Sequence, residues 1–134
     1  MIVVDTNIIA YLYLASERSA QVEQAYRKDP HWSAPILWRS EFRNVLALYI
    51  RKQILSIEEA LQIIEQATLL MRGREYQVAS FQGLELVASS TCSAYDCEFV
   101  ALAKDLNTSL VTVDKQILRQ FPTVAISLDT FVAS

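Results

Sequence analysis

At 134 residues, with 12 Lys and Arg against 15 Asp and Glu, the chain is too short for two domains and too acidic for a simple nucleic-acid binder, whose footprint is strongly basic. Two glycines and three prolines leave no room for a linker or a low-complexity stretch, and there is no internal repeat, so the expectation is one domain over residues 1–134. Apolar residues make up 52% of the chain, which is rich for so small a globule and points to a hydrophobic face used for association.

In chain order, residues 2 to 4 read as an all-apolar strand, followed by a helix from Asn7 to about Ser16 with Ile8, Ile9, Tyr11 and Leu12 turned inward. A second helix runs from Ser19 to about Lys28 and stops at Asp29-Pro30. A short strand near His31 to Ser33 leads to Pro35, a good first-turn residue, and a helix to about Lys52. Ser56-x-x-Glu59 is a capping box that opens a helix to about Met71, with Leu61, Ile64, Leu69 and Leu70 assigned to the core. Residues 76 to 79 form a short strand, and Phe81 to Ala88 a helix. Ser93-x-x-Asp96 is a second capping box, for a helix ending near Leu106. Leu110 to Val113 is a strand, Lys115 to Gln120 a short helix, and Val124 to Ser127 a last strand. Short apolar strands separated by helices imply a three-layer α/β/α sandwich with a central parallel sheet and right-handed crossovers.

Four acids, Asp5, Glu41, Asp96 and Asp114, sit where a strand hands over to a helix or just inside one. From Asp96 to Leu106 a helix advances about 15 Å, and from Ser109 to Asp114 a strand climbs back about 17 Å. Asp114 therefore returns to the level of Asp96, at the carboxyl edge where Asp5 closes the first strand, and where open α/β sheets bind their ligands. Glu41, six residues into its helix when counted from Pro35, joins them only if that helix leans across the edge. Two unit charges about 4 Å apart cost roughly 4 kcal/mol at an effective dielectric near 20, and divalent cations are the usual remedy. Such ions would also turn an acidic site from repelling phosphates to attracting them.

Taken singly, each acid has an ordinary structural explanation. Asp5 and Asp114 suit N-caps, Asp96 suits the first turn of its helix, and Glu41 suits a solvated helix face. Capping does not exclude metal binding, since a carboxylate has more than one lone pair to use. Thr6, Asn7, Ser93 and Thr112 could orient the carboxylates or metal-bound water, or could serve turns and caps alone. Arg39 and Arg43 read as a solvated face, with contact to RNA or a partner as the alternative, and Trp32, Trp38 and Tyr95 as packed aromatics that could instead stack on a base. His31, the one histidine, reads as structural, which argues against zinc. With Gly73 and Gly83 alone, no glycine-rich phosphate loop or dinucleotide fingerprint exists, and no nucleophile-elbow serine is present. Cys92 and Cys97 read as reduced core residues. Met1 leads directly into Ile2-Val3-Val4-Asp5 with no basic leader, and no apolar run approaches a membrane span, so a cytoplasmic protein without membrane contact is expected.

Val3-Val4-Asp5-Thr6-Asn7, Ser40-Glu41-Phe42, the run from Ser93 to Ala103 centred on Tyr95-Asp96-Cys97, and Leu110-Val111-Thr112-Val113-Asp114 occur in that order. Together they resemble the PIN-domain ribonucleases, in particular the VapC-type toxins of prokaryotic type II toxin–antitoxin pairs. The resemblance runs from Ile2 to about Leu128 and departs at Cys97, where such proteins often have alanine. It implies a metal-dependent endoribonuclease using Mg²⁺ or Mn²⁺, with Asp5, Glu41, Asp96 and Asp114 as catalytic metal ligands. It implies an RNA substrate, a homodimer and a small antitoxin that blocks the site. The alternatives are a non-catalytic PIN-like binding module, and a haloacid-dehalogenase-like phosphotransfer enzyme with Asp5 as nucleophile. The last needs an acid two residues on, where this chain has Asn7.

Overall fold

Five short strands, β1 (Ile2–Val4), β2 (Trp32–Pro35), β3 (Glu75–Tyr76), β4 (Leu110–Thr112) and β5 (Ala125–Ser127), form one wholly parallel sheet in the order β3-β2-β1-β4-β5. The computed structural model describes residues 1–134. Register is set from the centre, where Val3 lies opposite Ser33 of β2 on one side and Leu110 of β4 on the other. Every residue of β1, β2 and β4 is buried, which explains why these strands are mostly apolar and do not alternate, Ser33 and Thr112 being their buried polar residues.

Eight helices cover the sheet: α1 (Thr6–Tyr13), α2 (Ser19–Lys28), α3 (Trp38–Arg51), α4 (Ile57–Met71), α5 (Ser80–Ala88), α6 (Ala94–Asp105), α7 (Lys115–Gln120) and α8 (Leu128–Ala133). α6 packs across β1, β2 and β4 with α5 beside it, while α1, α4 and α8 reach the sheet in a second group that includes α2 and α3. The result is the expected PIN-like α/β/α arrangement. α6 is buried at Cys97 and from Phe99 through Ala103, because it lies between the sheet and α5. The chain moves from β1 outward to β3, then returns to the far side of β1 for β4 and β5. The strand order thus reverses between β1 and β4, and the carboxyl ends of those two strands flank a natural crevice.

Several boundaries differ from the sequence reading, for local reasons. α1 stops at Tyr13, short of Ser16, where the Ser19 hydroxyl donates to the carbonyls of Tyr11 and Leu14, each at 3.2 Å. Pro35 does not open a helix but closes β2. The bonds to the β3 side come from the N–H groups of Ala34 and Ile36, so the N–H that proline lacks is not needed there. α3 consequently begins three residues later, at Trp38, and Glu41 falls in its first turn. β3 lies at 75–76 and not 76–79, and Gly73, at φ +78°, makes the turn before it. α8 was not anticipated. Its signal is Ser127, whose side chain accepts the Thr130 N–H at 3.0 Å.

The core is one cluster of 30 buried apolar residues, in which Trp32, Trp38 and Phe42 are fully enclosed. Leu61 and Leu69 were expected there but are 57% and 55% exposed, since α4 turns a single face to α1, α3 and β2. Ile64 and Leu70 pack against the core's edge. Cys92 and Cys97 are buried and unpaired, and His31 is exposed.

Candidate active site

Each acid is delivered by a local feature of its own segment. Asp5 follows β1 and caps α1, its Oδ1 accepting the Ile8 N–H at 3.2 Å. Its Oδ2 accepts a hydrogen bond from the hydroxyl of Thr112, the last residue of β4. That hydroxyl oxygen also accepts the Asp114 N–H at 3.0 Å. Asp114 in turn caps α7, with Oδ1 accepting from the Ile117 N–H at 2.9 Å. Thr112, wholly buried, therefore couples the carboxyl ends of β1 and β4.

Asp96 lies in the first turn of α6, its N–H donating to Ser93 Oγ at 3.1 Å. The expected capping box is half made here. In the complete box at Ser56 and Glu59, the Glu59 carboxylate returns to accept the Ser56 N–H at 2.9 Å. Aspartate is one methylene shorter, and the Asp96 carboxylate turns to the crevice. Glu41 stands in the first turn of α3, its Oε1 accepting from the Thr6 hydroxyl at 2.6 Å.

The four carboxylates line one cleft of about 660 Å³ at the β1–β4 reversal, floored by Phe99 and Ile117 among others. None of the thirteen lining residues is basic. Burial pushes the Asp5 carboxyl up to about 6, against the hydrogen bonds from Thr112 and Ile8 and with help from the charges of Asp114 and Asp96. Asp96 is also raised, first by burial and then by Asp114 and Glu41. These mutual repulsions show the acids to be within electrostatic reach of one another. No three of them, however, stand close enough to cage an ion unaided. Glu98, raised by burial and by Glu41, lines a different depression beside Val78 and Leu84.

The structure thus brings Asp5, Glu41, Asp96 and Asp114 together, with Thr6 and Thr112 bonded to two of them. Asn7 is exposed on the cleft wall. Ser93, outside the cleft lining, accepts the Asp96 N–H, and its side-chain hydrogen bond to the Asp96 carboxyl partly offsets the upward shift there. Arg39 is not a free solvated charge. It grips Glu75 of β3 through Nε at 2.5 Å and Nη2 at 2.6 Å, and Trp38 Nε1 donates to the same carboxylate at 2.7 Å. Tyr95, expected to be packed, is 61% exposed at the cleft wall. Ser40, noted in the sequence only as part of the Ser40-Glu41-Phe42 motif, and Asn44, which the sequence did not flag, also line the cleft. Asn44 lies three residues beyond Glu41 on one helix face, a signal usable once the start of α3 is known.

Thr112→Val keeps the shape of the side chain while leaving Asp5 Oδ2 and the Asp114 N–H without their shared partner. Thermal unfolding is expected to show a loss of about 1–3 kcal/mol. An unchanged melting temperature would mean that Thr112 does not tie the two strand ends together.

A sequence profile described as the PIN domain matches residues 2–122. Ribonuclease VapC3 of Pyrobaculum aerophilum is 29% identical over 124 residues, covering 90% of this chain and 95% of that protein. Among solved structures, FitAcB from Neisseria gonorrhoeae aligns with a TM-score of 0.73 at 17% identity, covering 96% of this chain and 98% of its own. PAE2754 from Pyrobaculum aerophilum aligns with a TM-score of 0.71 at 16% identity, covering 98% and 93%. FitAB bound to an IR36 DNA fragment aligns at 0.70 and 18% identity, covering 96% and 95%.

Proposed function

We propose a function from one premise: the chain belongs to the PIN-domain family. It is an endoribonuclease that hydrolyses RNA phosphodiester bonds with Mg²⁺ or Mn²⁺ held among Asp5, Glu41, Asp96 and Asp114. The observation that carries this reading is the meeting of four carboxylates, from four separate segments, around one cleft at the β1–β4 reversal. The kinship with a ribonuclease over 90% of the chain supports the choice of substrate.

The donor set fits these ions. All four ligands are hard carboxylate oxygens, and neither histidine nor cysteine lines the cleft. The lack of a closed cage suits magnesium, which keeps several waters and takes only one or two carboxylates directly. When bound, the metal supplies an acidified water as nucleophile and neutralises charge on the leaving oxygen. The protein's own share is positional. Thr112 and Ile8 fix the plane of the Asp5 carboxylate, Thr6 fixes Glu41, and the helix caps leave one oxygen each of Asp5 and Asp114 turned away from the backbone. Asp5, pushed up to about 6, holds its proton more tightly than an ordinary carboxylate, and Asp96 is raised in the same direction, so ion binding weakens as the pH falls and Asp5 takes up its proton.

In this reading the protein is the toxin of a toxin–antitoxin pair, working in the cytoplasm as a homodimer and silenced by a small antitoxin. The exposed Leu48, Ile54, Ile57, Leu61, Leu69, Phe81 and Leu84 offer apolar surface for such partners. No helix is long and apolar enough to cross a membrane.

Purified protein incubated with single-stranded RNA is expected to cleave it in Mn²⁺ or Mg²⁺ and to stop when EDTA is added in excess. Cleavage that survives chelation would remove the metal from the mechanism. Isothermal titration showing no Mn²⁺ binding, together with intact RNA, would favour a non-catalytic binding module. A short reading frame directly upstream, encoding a DNA-binding segment with a tail, would mark the toxin's partner.

A further inference from the structure

The acidic cleft has no cation of its own to hold a nucleic-acid backbone. Its wall carries acids, hydroxyls, amides and apolar groups; Arg39 is committed to Glu75, while Arg43, equally near Glu41 in sequence, lies outside the lining and donates from Nη2 to Ser40 Oγ at 3.1 Å. Beyond Arg43 at the rim, contacts past the reacting phosphate fall to groups that read something other than charge. One side chain on that wall has the required chemistry. Tyr95, in the first turn of α6 and adjacent to Asp96, presents an aromatic ring that is 61% exposed; Phe81, at 73% the more exposed ring, lies on α5 and not in the cleft lining, whose other aromatic, Phe99, is buried. Across the cleft α3 presents the exposed hydroxyl of Ser40 and the exposed amide of Asn44, which can donate to and accept from a base edge.

We propose that Tyr95 is the stacking platform of a subsite for one unpaired nucleobase beside the reacting phosphate, with Asn44 of α3 contacting the edge of that base. The proposal rests on the ribonuclease reading above and refines it, since the substrate must then be unpaired at the cleavage position. A base inside a duplex has both faces covered by its neighbours and cannot lie on the ring, whereas an unpaired base has a π-face to offer whatever its identity. The energetic case for an exposed tyrosine is the same. A ring left in water at the mouth of a cleft gains nothing from folding, but gains burial and stacking when a base covers it.

The test uses a fluorescently labelled single-stranded oligoribonucleotide of ten nucleotides, in Ca²⁺ to hold it uncleaved for anisotropy and in Mn²⁺ to follow cleavage. Tyr95→Ala is expected to weaken binding about tenfold, in the range of one lost base stack, and to raise KM by a similar factor with kcat and Mn²⁺ affinity unchanged. Tyr95→Phe and Tyr95→Trp should retain binding. A second oligoribonucleotide with an abasic ribose next to the cleavage position should bind wild type and Tyr95→Ala alike. Equal binding of base-containing RNA by wild type and Tyr95→Ala, with cleavage intact, overturns the subsite and leaves the nuclease. RNA that binds through Tyr95 but is never cleaved upholds the subsite and overturns the nuclease. A loss in Tyr95→Ala that persists on the abasic strand shows that the ring is not stacking on a base and overturns the subsite.

Discussion

Replacing Asp5 with asparagine is expected to abolish RNA cleavage while raising the melting temperature of the metal-free protein. The two effects share one cause. Asp5 is buried among like charges, and its carboxyl is pushed up from 3.8 to about 6. Between those values the folded protein binds the proton more tightly than the unfolded chain does. Stability from this group is therefore present below 3.8 and lost as pH rises through about 6, and at neutral pH the ionised form costs about 3 kcal/mol at most. Asparagine carries no charge and is as good an N-cap, so the Ile8 bond survives. Its amide can donate to Thr112 Oγ1, which has a second lone pair to accept with. A gain of roughly 3–10 °C follows for a chain of this size. Function moves the opposite way. Losing one charged ligand forfeits several kcal/mol of transition-state stabilisation, and cleavage should fall by more than about a hundredfold. Differential scanning fluorimetry provides the control: added Mn²⁺ should raise the melting temperature of the wild type and leave Asp5→Asn nearly unmoved. A variant that melts lower than wild type without metal would contradict the charge-burial account, and one that cleaves normally would remove Asp5 from the site.

Trp38→Ala is the substitution expected to cost most stability, about 3–5 kcal/mol, because a fully enclosed indole is replaced by a cavity. The ring lies 6.0 Å from Phe42, which is itself 6.5 Å from Tyr13, so the void opens between α1 and α3. Trp38 and Arg39 together bind Glu75 and thereby anchor the first turn of α3 to the edge strand β3. Glu41 stands one turn away, so cleavage should fall along with stability even at temperatures where the variant is folded. Trp38→Phe separates the two contributions. It keeps much of the packing, loses only the N–H to Glu75, and leaves Arg39 in place. It should unfold with a loss of about 1–2 kcal/mol and keep most activity. Denaturant unfolding compared with initial cleavage rates measures both. A Trp38→Ala loss below about 1 kcal/mol would show that this corner of the core is not packed as described.

The placement of Glu41 shows how one local misreading weakened the case for a candidate that the sequence still named. Counting from Pro35, because proline favours first-turn positions, put it six residues into a helix, where it meets the other acids only if that helix leans across the sheet edge. Proline is equally at home where a strand needs no donor, and the choice between these settings depends on β3, about 40 residues later in the chain. The missing α8 has a different origin. It is a six-residue helix whose stability comes from packing on α2 and β5, with little periodicity of its own to read. The assignment of Leu61 and Leu69 to the core failed because apolar composition identifies a helix without saying how much of its circumference is covered.

Local chemistry was written plainly in the chain. Apolar strands and the caps at Asp5, Ser56, Ser93 and Asp114 act within four residues, so alternation, composition and the four acidic motifs could be read directly. The strand order, the reversal between β1 and β4, and the hydroxyl that joins Asp5 to Asp114 were decided by tertiary structure alone. The Thr112 to Asp5 bond spans 107 residues, and nothing near either residue encodes the other. The physical reason is range. Backbone caps and side-chain periodicity are short-range and leave a mark on neighbouring residues, whereas strand pairing is selected by how the whole apolar surface is buried at once.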